Sequence, residues 1–220
     1  MTDVKRRYDS SRRQQQARRN RTVVLDAAQR RFLREGYAAT TVAAIAGDAG
    51  VSVETIYKAF GGKAGLVSAI WQRGLAGQGP VPAPERSDRM SSSEADPRAI
   101  IANWGKLTAE VTPMVAPILL LIRSAAATDP DMAALLAETD AQRRARMRHN
   151  AQAIRVHLRA GVTLASATDI LWTYSSPDLY DLLVLRGGWS LPRYSRFLVD
   201  SMIAALLLAQ PWNRQQPPQT

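Results

Sequence analysis

The side chains that most often catalyse reactions are scarce in this 220-residue chain and are not arranged for catalysis. His149 and His157 are its only histidines. Their separation corresponds to about two helical turns, whereas a metal-binding pair on a helix needs adjacent turns. The chain has no cysteine, which excludes a thiolate metal site, a cysteine nucleophile and a disulfide. We therefore predict that the protein is not an enzyme and needs neither a metal nor another cofactor.

The glycine-rich segments do not match the motifs of nucleotide-binding loops. In Gly61-Gly62-Lys63-Ala64 an alanine follows the lysine, where a phosphate loop has serine or threonine. Tyr57 occupies the position of that loop's upstream glycine. The glycines at 74, 77 and 79 do not have the spacing of a dinucleotide-binding fingerprint.

The stretch from Val24 to Leu66 has the pattern of short helices around a tight turn. One short helix is predicted from Thr40-Thr41 to Ala49, and a second from the N-cap Ser52 to Gly61-Gly62. A turn at Gly50-Val51 joins them, and four alanines allow them to pack closely: Ala43, Ala44, Ala46 and Ala49. This pattern predicts a helix-turn-helix, whose second helix is free to enter a DNA major groove about 12 Å wide.

At these positions the sequence resembles the TetR family of bacterial regulators. The matching positions cover about the first third of the chain at fixed spacing: Ala27-Ala28, Phe32, Gly36-Tyr37, Thr40-Thr41-Val42, Ile45-Ala46, Ala49-Gly50-Val51-Ser52, Ile56-Tyr57, Phe60 and Lys63. Ala64 departs from the pattern, because the family commonly has an acidic residue there. Residues Ala167 to Leu185, with Gly188-Trp189-Ser190, also resemble the C-terminal helices of one branch of the family.

The resemblance implies a homodimer that places two recognition helices in successive major grooves of a near-palindromic double-stranded DNA operator. Such half-sites lie about 34 to 36 Å apart. Phosphate contacts would come from the backbone and hydroxyls of the two threonines and from two further side chains: Thr40, Thr41, Tyr57 and Lys63. The groove would be faced by five residues at the start of the second helix: Ser52, Val53, Glu54, Thr55 and Lys58.

Structural roles compete with these assignments. Tyr57 and Phe60 lie at helical spacing, so both could belong to the core, and we expect this of Phe60 in particular. Lys63 could be an ordinary solvated lysine. The basic N-terminal residues could contact phosphates or a minor groove, or serve only solubility.

The resemblance further implies a second helical domain that binds a small-molecule effector and forms the dimer. We expect an apolar or aromatic effector, and seven residues are candidates for contacting it: Trp104, Met114, Arg123, Trp172, Tyr174, Tyr180 and Trp189. Seven apolar residues of the last helices are candidates for the dimer interface: Leu179, Leu182, Leu183, Phe197, Leu198, Met202 and Leu206. Packing in the chain's own core is the alternative for each of them.

The periodicity along the chain predicts an all-α fold, because no segment alternates apolar and polar residues as a strand does. We expect a disordered basic arm at 1–21, a three-helix DNA-binding domain at 22–75 and a flexible linker at 76–97. A helical ligand-binding and dimerisation domain at 98–209 and a disordered tail at 210–220 would follow. Asp96-Pro97, Thr112-Pro113 and Asp129-Pro130 each predict a helix start, and Gly161 the end of the last of these helices.

A net charge of +10 indicates attraction to polyanions, either nucleic acid or an anionic membrane surface. The longest apolar run, 115–122, is shorter than the roughly 20 residues that cross a bilayer, so we expect no membrane span and a cytoplasmic protein. A protein that binds polyanions or membrane surfaces without specificity is the alternative function. It would leave the pattern from Val24 to Leu66 without explanation.

Overall fold

The computed structural model describes residues 3–77, 79 and 81–207, and side chains from residue 14 onward within these ranges. The described chain is helical throughout, which confirms the all-α prediction. Its α-helices are α1 (Asp3–Glu35), α2 (Val42–Ala49), α3 (Val53–Phe60), α4 (Lys63–Ala76), α5 (Ala83–Ser93), α6 (Pro97–Ala126), α7 (Pro130–Ala153), α8 (Leu164–Tyr174), α9 (Pro177–Tyr180) and α10 (Leu191–Leu206). A 3-10 helix spans Arg155–His157 and a π-helix spans Asp181–Arg186. The predicted tail at 210–220 lies outside the described residues.

The chain divides into two compact units. Unit 1 comprises Met1–Leu75 and Pro117–Glu138, and unit 2 comprises Ala76–Ala116 and Thr139–Thr220. One division between the units follows Leu75. Residues 117–138 belong to unit 1, however, although the sequence placed them in the second domain, because helices α6 and α7 each contribute residues to both units.

Short-range signals determine the helix-turn-helix of unit 1. Thr41 caps α2 by accepting a hydrogen bond from the backbone N–H of Ala44 at 3.1 Å. Gly50 ends the helix at φ 64°, a left-handed conformation that favours glycine. Ser52 then caps α3. The expected N-caps and the Gly50 turn are thus confirmed, and they fix where the two helices start and stop.

The core of unit 2 is a cluster of buried residues drawn from five helices, α6 to α10. Trp104 of α6, Ile154 after α7, Leu171 of α8 and Tyr180 of α9 are buried in it, together with a row of α10. That row is spaced by four residues along one helix face: Tyr194, Leu198, Met202 and Leu206. Gly105 of α6 permits close packing on α10, because a Cβ there would lie 2.2 Å from Val199 Cγ2.

Two segments expected to be irregular are helical. The arm predicted as disordered over 1–21 is part of α1 from Asp3 onward. Residues 3–35 contain no glycine or proline and are rich in arginine, glutamine and alanine, which favour helices. The predicted linker at 76–97 contains α5, whose prolines lie at the helix start, where the missing N–H has no intrahelical partner.

Two helix boundaries also differ from the prediction. Thr112-Pro113 does not begin a new helix, since α6 continues through it. An interior proline costs about 3 kcal/mol, but Ile101, Ile118 and Ile122 are fully buried and each contributes roughly 1.5 to 3 kcal/mol. Helix α7 ends at Ala153 instead of continuing to Gly161, and the 3-10 helix follows.

Helix α6 is long and apolar enough to cross a membrane by length and composition. Within its most apolar window, 44% of the residues are buried inside the protein. The core helices of globular proteins have the same composition, so this property is weak support for a membrane span.

Candidate nucleic-acid interface

Helix α3 is anchored by a single side chain and leaves the rest of its surface uncovered. Ile56 is fully buried, whereas Val53 is 38% exposed and Tyr57 is 54% exposed. Three further groove candidates, Glu54, Thr55 and Lys58, are also exposed. Five of the residues predicted to face DNA on this helix therefore lie on the protein surface.

The first turn of α3 is held by its own polar side chains. Ser52 Oγ accepts a hydrogen bond from the backbone N–H of Thr55 at 3.2 Å and lies 2.9 Å from Thr55 Oγ1. The two hydroxyls stabilise the helix start and keep further hydrogen-bonding capacity, since each oxygen has two lone pairs. Glu54 in this turn and Lys58 in the last turn both suit the helix dipole.

The predicted phosphate contacts divide into exposed and buried groups. Thr41 and Tyr57 are exposed, and the Tyr57 ring packs near Gly62. Thr40 is 1% exposed, and its hydroxyl donates a 2.8 Å hydrogen bond to the carbonyl of Gly36. The expectation that the Thr40 hydroxyl contacts phosphate is therefore corrected, because the side chain closes the turn before α2. Only its backbone stays a candidate.

Lys63 is held against an aromatic ring. Its Nζ lies 4.2 Å from the ring centre of Tyr37, a cation–π distance. Burial, assisted by Asp129 and Asp131, raises the pKa of Tyr37 to about 12, so the phenol is neutral near pH 7. Lys63 is half-buried and is thus more ordered than a freely solvated lysine.

Ion pairs that the sequence analysis missed fix the neighbours of α3. Arg31 of α1 donates two hydrogen bonds to the Asp48 carboxylate of α2, at 2.6 and 2.9 Å. The guanidinium of Arg31 lowers the pKa of Asp48. Arg73 of α4 donates to Asp26 of α1 at 2.7 Å. Partners 17 and 47 residues apart give no local signal in a sequence.

Arg21 connects α1 to the end of α3. Its guanidinium carbon lies 4.6 Å from the ring centre of Phe60, the last residue of α3. Phe60 is consequently half-buried under this cation and not fully in the core as expected. The contact places the middle of α1 beside the end of the candidate DNA-reading helix.

The residues predicted to contact an effector differ in burial and in the neighbours that they pack against. Trp104 and Tyr180 belong to the core, and Trp104 Nε1 donates to Ser91 Oγ at 3.1 Å. Tyr174 and Trp189 are half-buried and pack edge-on against Phe197, with ring centres 6.3 and 5.6 Å away.

The remaining three candidates are Trp172 of α8 and Met114 and Arg123 of α6. The guanidinium carbons of Arg143 and Arg144 lie 4.9 and 5.3 Å from the Trp172 ring centre. Met114 is half-buried on α6. Arg123 is exposed and belongs to unit 1.

An open cavity of about 580 Å³ lies instead between α6 and α10 within unit 2. We call it the α6–α10 groove, and it is lined by Ala102, Lys106, Ala109, Glu110, Leu191, Pro192, Ser195, Arg196 and Val199. None of the seven predicted effector residues lines it. Aromatic side chains were expected at an effector site, whereas small residues on facing helices create this space.

The candidate dimer residues also divide. Leu198, Met202 and Leu206 are buried in the core of their own chain, so their side chains are not free for a partner, which corrects the prediction for these three. Leu179, Leu183 and Phe197 are half-buried. Leu182 is 50% exposed, and two leucines not singled out from the sequence, Leu185 and Leu191, are exposed as well.

The two histidines lie on different helices. His149 on α7 places Nε2 3.0 Å from Asp88 Oδ1, and His157 is exposed on the 3-10 helix. Across the described ranges, no group of three or more histidine, aspartate or glutamate side chains is placed to bind a metal ion.

Residues 24–70 match the family model described as bacterial regulatory proteins, tetR family. Among curated protein sequences, none matches the chain significantly. Solved structures match over most of the chain. NalD, the secondary repressor of the MexAB-OprM multidrug efflux pump in Pseudomonas aeruginosa, is 20% identical with a TM-score of 0.69, covering 87% of this chain and 98% of its own.

Two further structures were determined with small molecules. The SmeT–triclosan complex is 21% identical with a TM-score of 0.66, covering 91% of this chain and 99% of its own. FadR from Bacillus subtilis in complex with stearoyl-CoA is 15% identical with a TM-score of 0.65, covering 84% and 98%. At these identities the likenesses establish the fold: an N-terminal helix-turn-helix followed by a helical domain.

Proposed function

We propose that this chain, whose N-terminal domain matches the TetR family, is a homodimeric repressor of transcription that reads a near-palindromic DNA operator. A small-molecule effector releases the repressor from the DNA. The observation that carries the proposal is α3, which is fixed by Ile56 and its caps and exposes its remaining surface. Regulators of this family generally catalyse no reaction and are typically cytoplasmic, and we propose the same here.

Within the operator complex, the exposed groups of α3 read bases. Lys58 donates to acceptors on a base edge or a phosphate, and Glu54 accepts from a cytosine amino group. The hydroxyls of Ser52 and Thr55 and the methyl groups of Val53 complete the groove-facing surface. Thr41, Tyr57 and Lys63, with the backbone at Thr40, hold phosphates and so set the position of α3.

The dimer that presents two copies of α3 forms through exposed leucines near the π-helix. Leu182, Leu185 and Leu191 support this proposal, because large apolar side chains exposed together mark interaction surfaces. The half-buried Leu179, Leu183 and Phe197 lie beside them in the sequence. Replacing Leu182 and Leu185 together by serine is expected to convert the dimer to a monomer in analytical ultracentrifugation, while unit 2 stays folded.

The effector occupies the α6–α10 groove. Its small and apolar residues, Ala102, Ala109 and Val199, suit an apolar or aromatic molecule, and Lys106 and Arg196 on its rim favour one that also carries negative charge. Structural relatives that bind triclosan and stearoyl-CoA in their crystal structures support an effector of this kind.

A route from this groove to the DNA-binding unit begins at Glu110. Glu110 lines the groove and accepts hydrogen bonds of 2.6 and 2.8 Å from Arg86. Both groups lie against Gly77, where a Cβ would meet Arg86 Nη2 at 2.7 Å and Glu110 Oε1 at 2.8 Å. Gly77 is the first residue after α4, just beyond the point where the chain leaves unit 1. An effector that displaces Glu110 therefore acts on the end of α4.

A binding titration against DNA upstream of the protein's own gene tests the proposal, at two salt concentrations and with excess unrelated competitor DNA. The wild type is expected to bind in the presence of competitor, and Tyr57→Ala is expected to lose this binding. Leu33→Ala is the control, because it truncates a similarly exposed side chain on α1 of the same unit. Binding that competitor abolishes and Tyr57→Ala leaves unchanged would establish a non-specific polyanion binder instead.

The effector is tested separately with Ala109→Trp, which fills the α6–α10 groove. A panel of apolar and aromatic compounds, with triclosan as the first probe, is expected to release wild-type protein from operator DNA. The variant should bind the operator normally and resist release. Equal release of both proteins would place the effector site elsewhere.

A further inference from the structure

The N-terminal part of α1 carries most of the protein's excess charge. Residues 3–21, here called the basic helical segment, contain eight lysines and arginines against two aspartates. The segment thus accounts for six of the ten net positive charges of the whole chain. It precedes residue 24, where the match to the family model begins.

Intrachain packing does not explain this segment. Val4, Tyr8 and Ala17 are its only apolar residues, so it has no apolar stripe to bury. Residues 14–19 are exposed without interruption. Arg18 and Arg19 make no ion pair with any residue whose side chain the structure describes. A helix this basic repels itself, and polyanions would relieve that repulsion.

The position of the segment indicates which polyanion it binds. Arg21, at the end of the segment, stacks on Phe60 at the end of α3, the helix that we propose reads the operator. The C-terminal end of the segment therefore lies beside α3. At 1.5 Å per residue it extends about 28 Å, or about eight base pairs of duplex.

We propose that the basic helical segment binds the backbone phosphates of DNA that flanks the sequence read by α3. This inference rests on the proposed function, because it needs an operator-bound protein. The segment adds affinity without sequence information, since phosphates are the same beside every sequence. It lengthens the DNA site beyond the half-sites that α3 contacts.

The test measures operator affinity against salt concentration for the full-length protein. Each phosphate contact contributes about 0.9 to the slope of log K against log salt. Because the dimer carries two copies of the segment, Arg18→Gln with Arg19→Gln removes four positive charges. The variant is expected to lower the slope by about 2 to 4 and to keep the same preferred operator. Glutamine preserves helix propensity. Arg155→Gln with Arg159→Gln is the control, because it removes two exposed charges from unit 2.

A second measurement uses two DNA fragments. One ends at the half-sites, and the other extends by about ten base pairs of arbitrary sequence on each side. The wild type is expected to bind the longer fragment more tightly, and the double variant, which keeps six of the eight basic residues, should show a smaller preference for it. Hydrogen exchange should show slower exchange at residues 14–21 on the longer fragment only.

The outcomes separate this inference from the proposed function. If the wild type shows no competitor-resistant binding to any fragment, the proposed function fails. If it binds specifically but the double variant keeps the wild-type slope and fragment preference, the proposed function stands and this inference is overturned. If the double variant loses the wild type's binding to anionic phospholipid vesicles but keeps the wild-type salt slope on DNA, this inference is also overturned. The segment is then identified as membrane-binding.

Discussion

Helices α3 and α10 use their side chains in opposite ways. Helix α3 has eight residues and buries only Ile56, whereas α10 has sixteen and buries a row of four. Capping and one anchor hold α3, so its other residues are available to a ligand. Packing holds α10, so most of its apolar residues are committed to the core. A residue of α3 is therefore a good candidate for contacting a ligand. A residue of α10 is a candidate only where its side chain is exposed.

The largest expected effect comes from Leu198→Ala in α10. Leu198 is fully buried, and truncation of a buried leucine costs about 2 to 5 kcal/mol of unfolding free energy. Val53→Ala in α3 is the matched truncation on the other helix and should cost less than about 1 kcal/mol. Chemical denaturation measures both. A small effect of Leu198→Ala would remove the distinction between the two helices.

Two helix glycines, Gly105 and Gly47, differ in the space around them. Gly105→Ala in α6 places a Cβ 2.2 Å from Val199 Cγ2, and this overpacking should destabilise unit 2 by about 1 to 3 kcal/mol. Gly47→Ala in α2 meets no atom within 4 Å, and alanine favours a helix, so it should stabilise the protein by up to about 1 kcal/mol. Thermal unfolding should therefore shift in opposite directions. Two shifts of the same sign would refute this account of α6 packing.

Loss of the α3 cap has a smaller expected effect. Ser52→Ala removes the acceptor for the backbone N–H of Thr55 and should cost about 1 kcal/mol. Operator affinity should fall as well, because the start of α3 becomes less ordered. Ser190→Ala removes the corresponding N-cap of α10 and should have a similar effect on stability. It should leave affinity unchanged, and an equal loss of affinity would mean that the DNA effect is indirect.

Acid sensitivity is the smallest expected effect. Because Arg31 lowers the pKa of Asp48, the carboxylate contributes stability above the ordinary carboxyl pKa. That contribution is lost as pH falls through the lowered pKa. Asp48→Asn should therefore reduce the pH dependence of unit 1 stability below about pH 4. Denaturation curves recorded from pH 7 to pH 3 measure this change, and parallel pH profiles for variant and wild type would contradict the assignment.

The helix-turn-helix was predictable because its signals are local. The N-caps Thr41 and Ser52 and the left-handed Gly50 lie within a few residues of the backbone groups that they organise. The spacing of Ile45 and Ile56 likewise indicates their burial from the sequence alone. The fold class and the motif thus followed from short-range chemistry.

Features that depend on distant partners were not predictable. The burial of Leu198 on α10 and the exposure of Leu182 on the π-helix depend on which elements pack against each of them, and the spacing of leucines is similar in both cases. The α6–α10 groove arises where small residues face each other across two helices. The helical conformation over 3–21 was missed because arginine and glutamine favour both helices and solvated tails.

Selection of bound fragments from a random DNA library tests the central claim most directly. The wild type is expected to enrich one short motif in two inverted copies, with centres about 10 base pairs apart. Lys58→Ala should alter or abolish that motif, whereas Arg155→Ala, which truncates an exposed basic side chain of unit 2, should preserve it. Enrichment of no motif, or of the same motif by Lys58→Ala and wild type, would contradict the assignment of α3 as the helix that reads DNA.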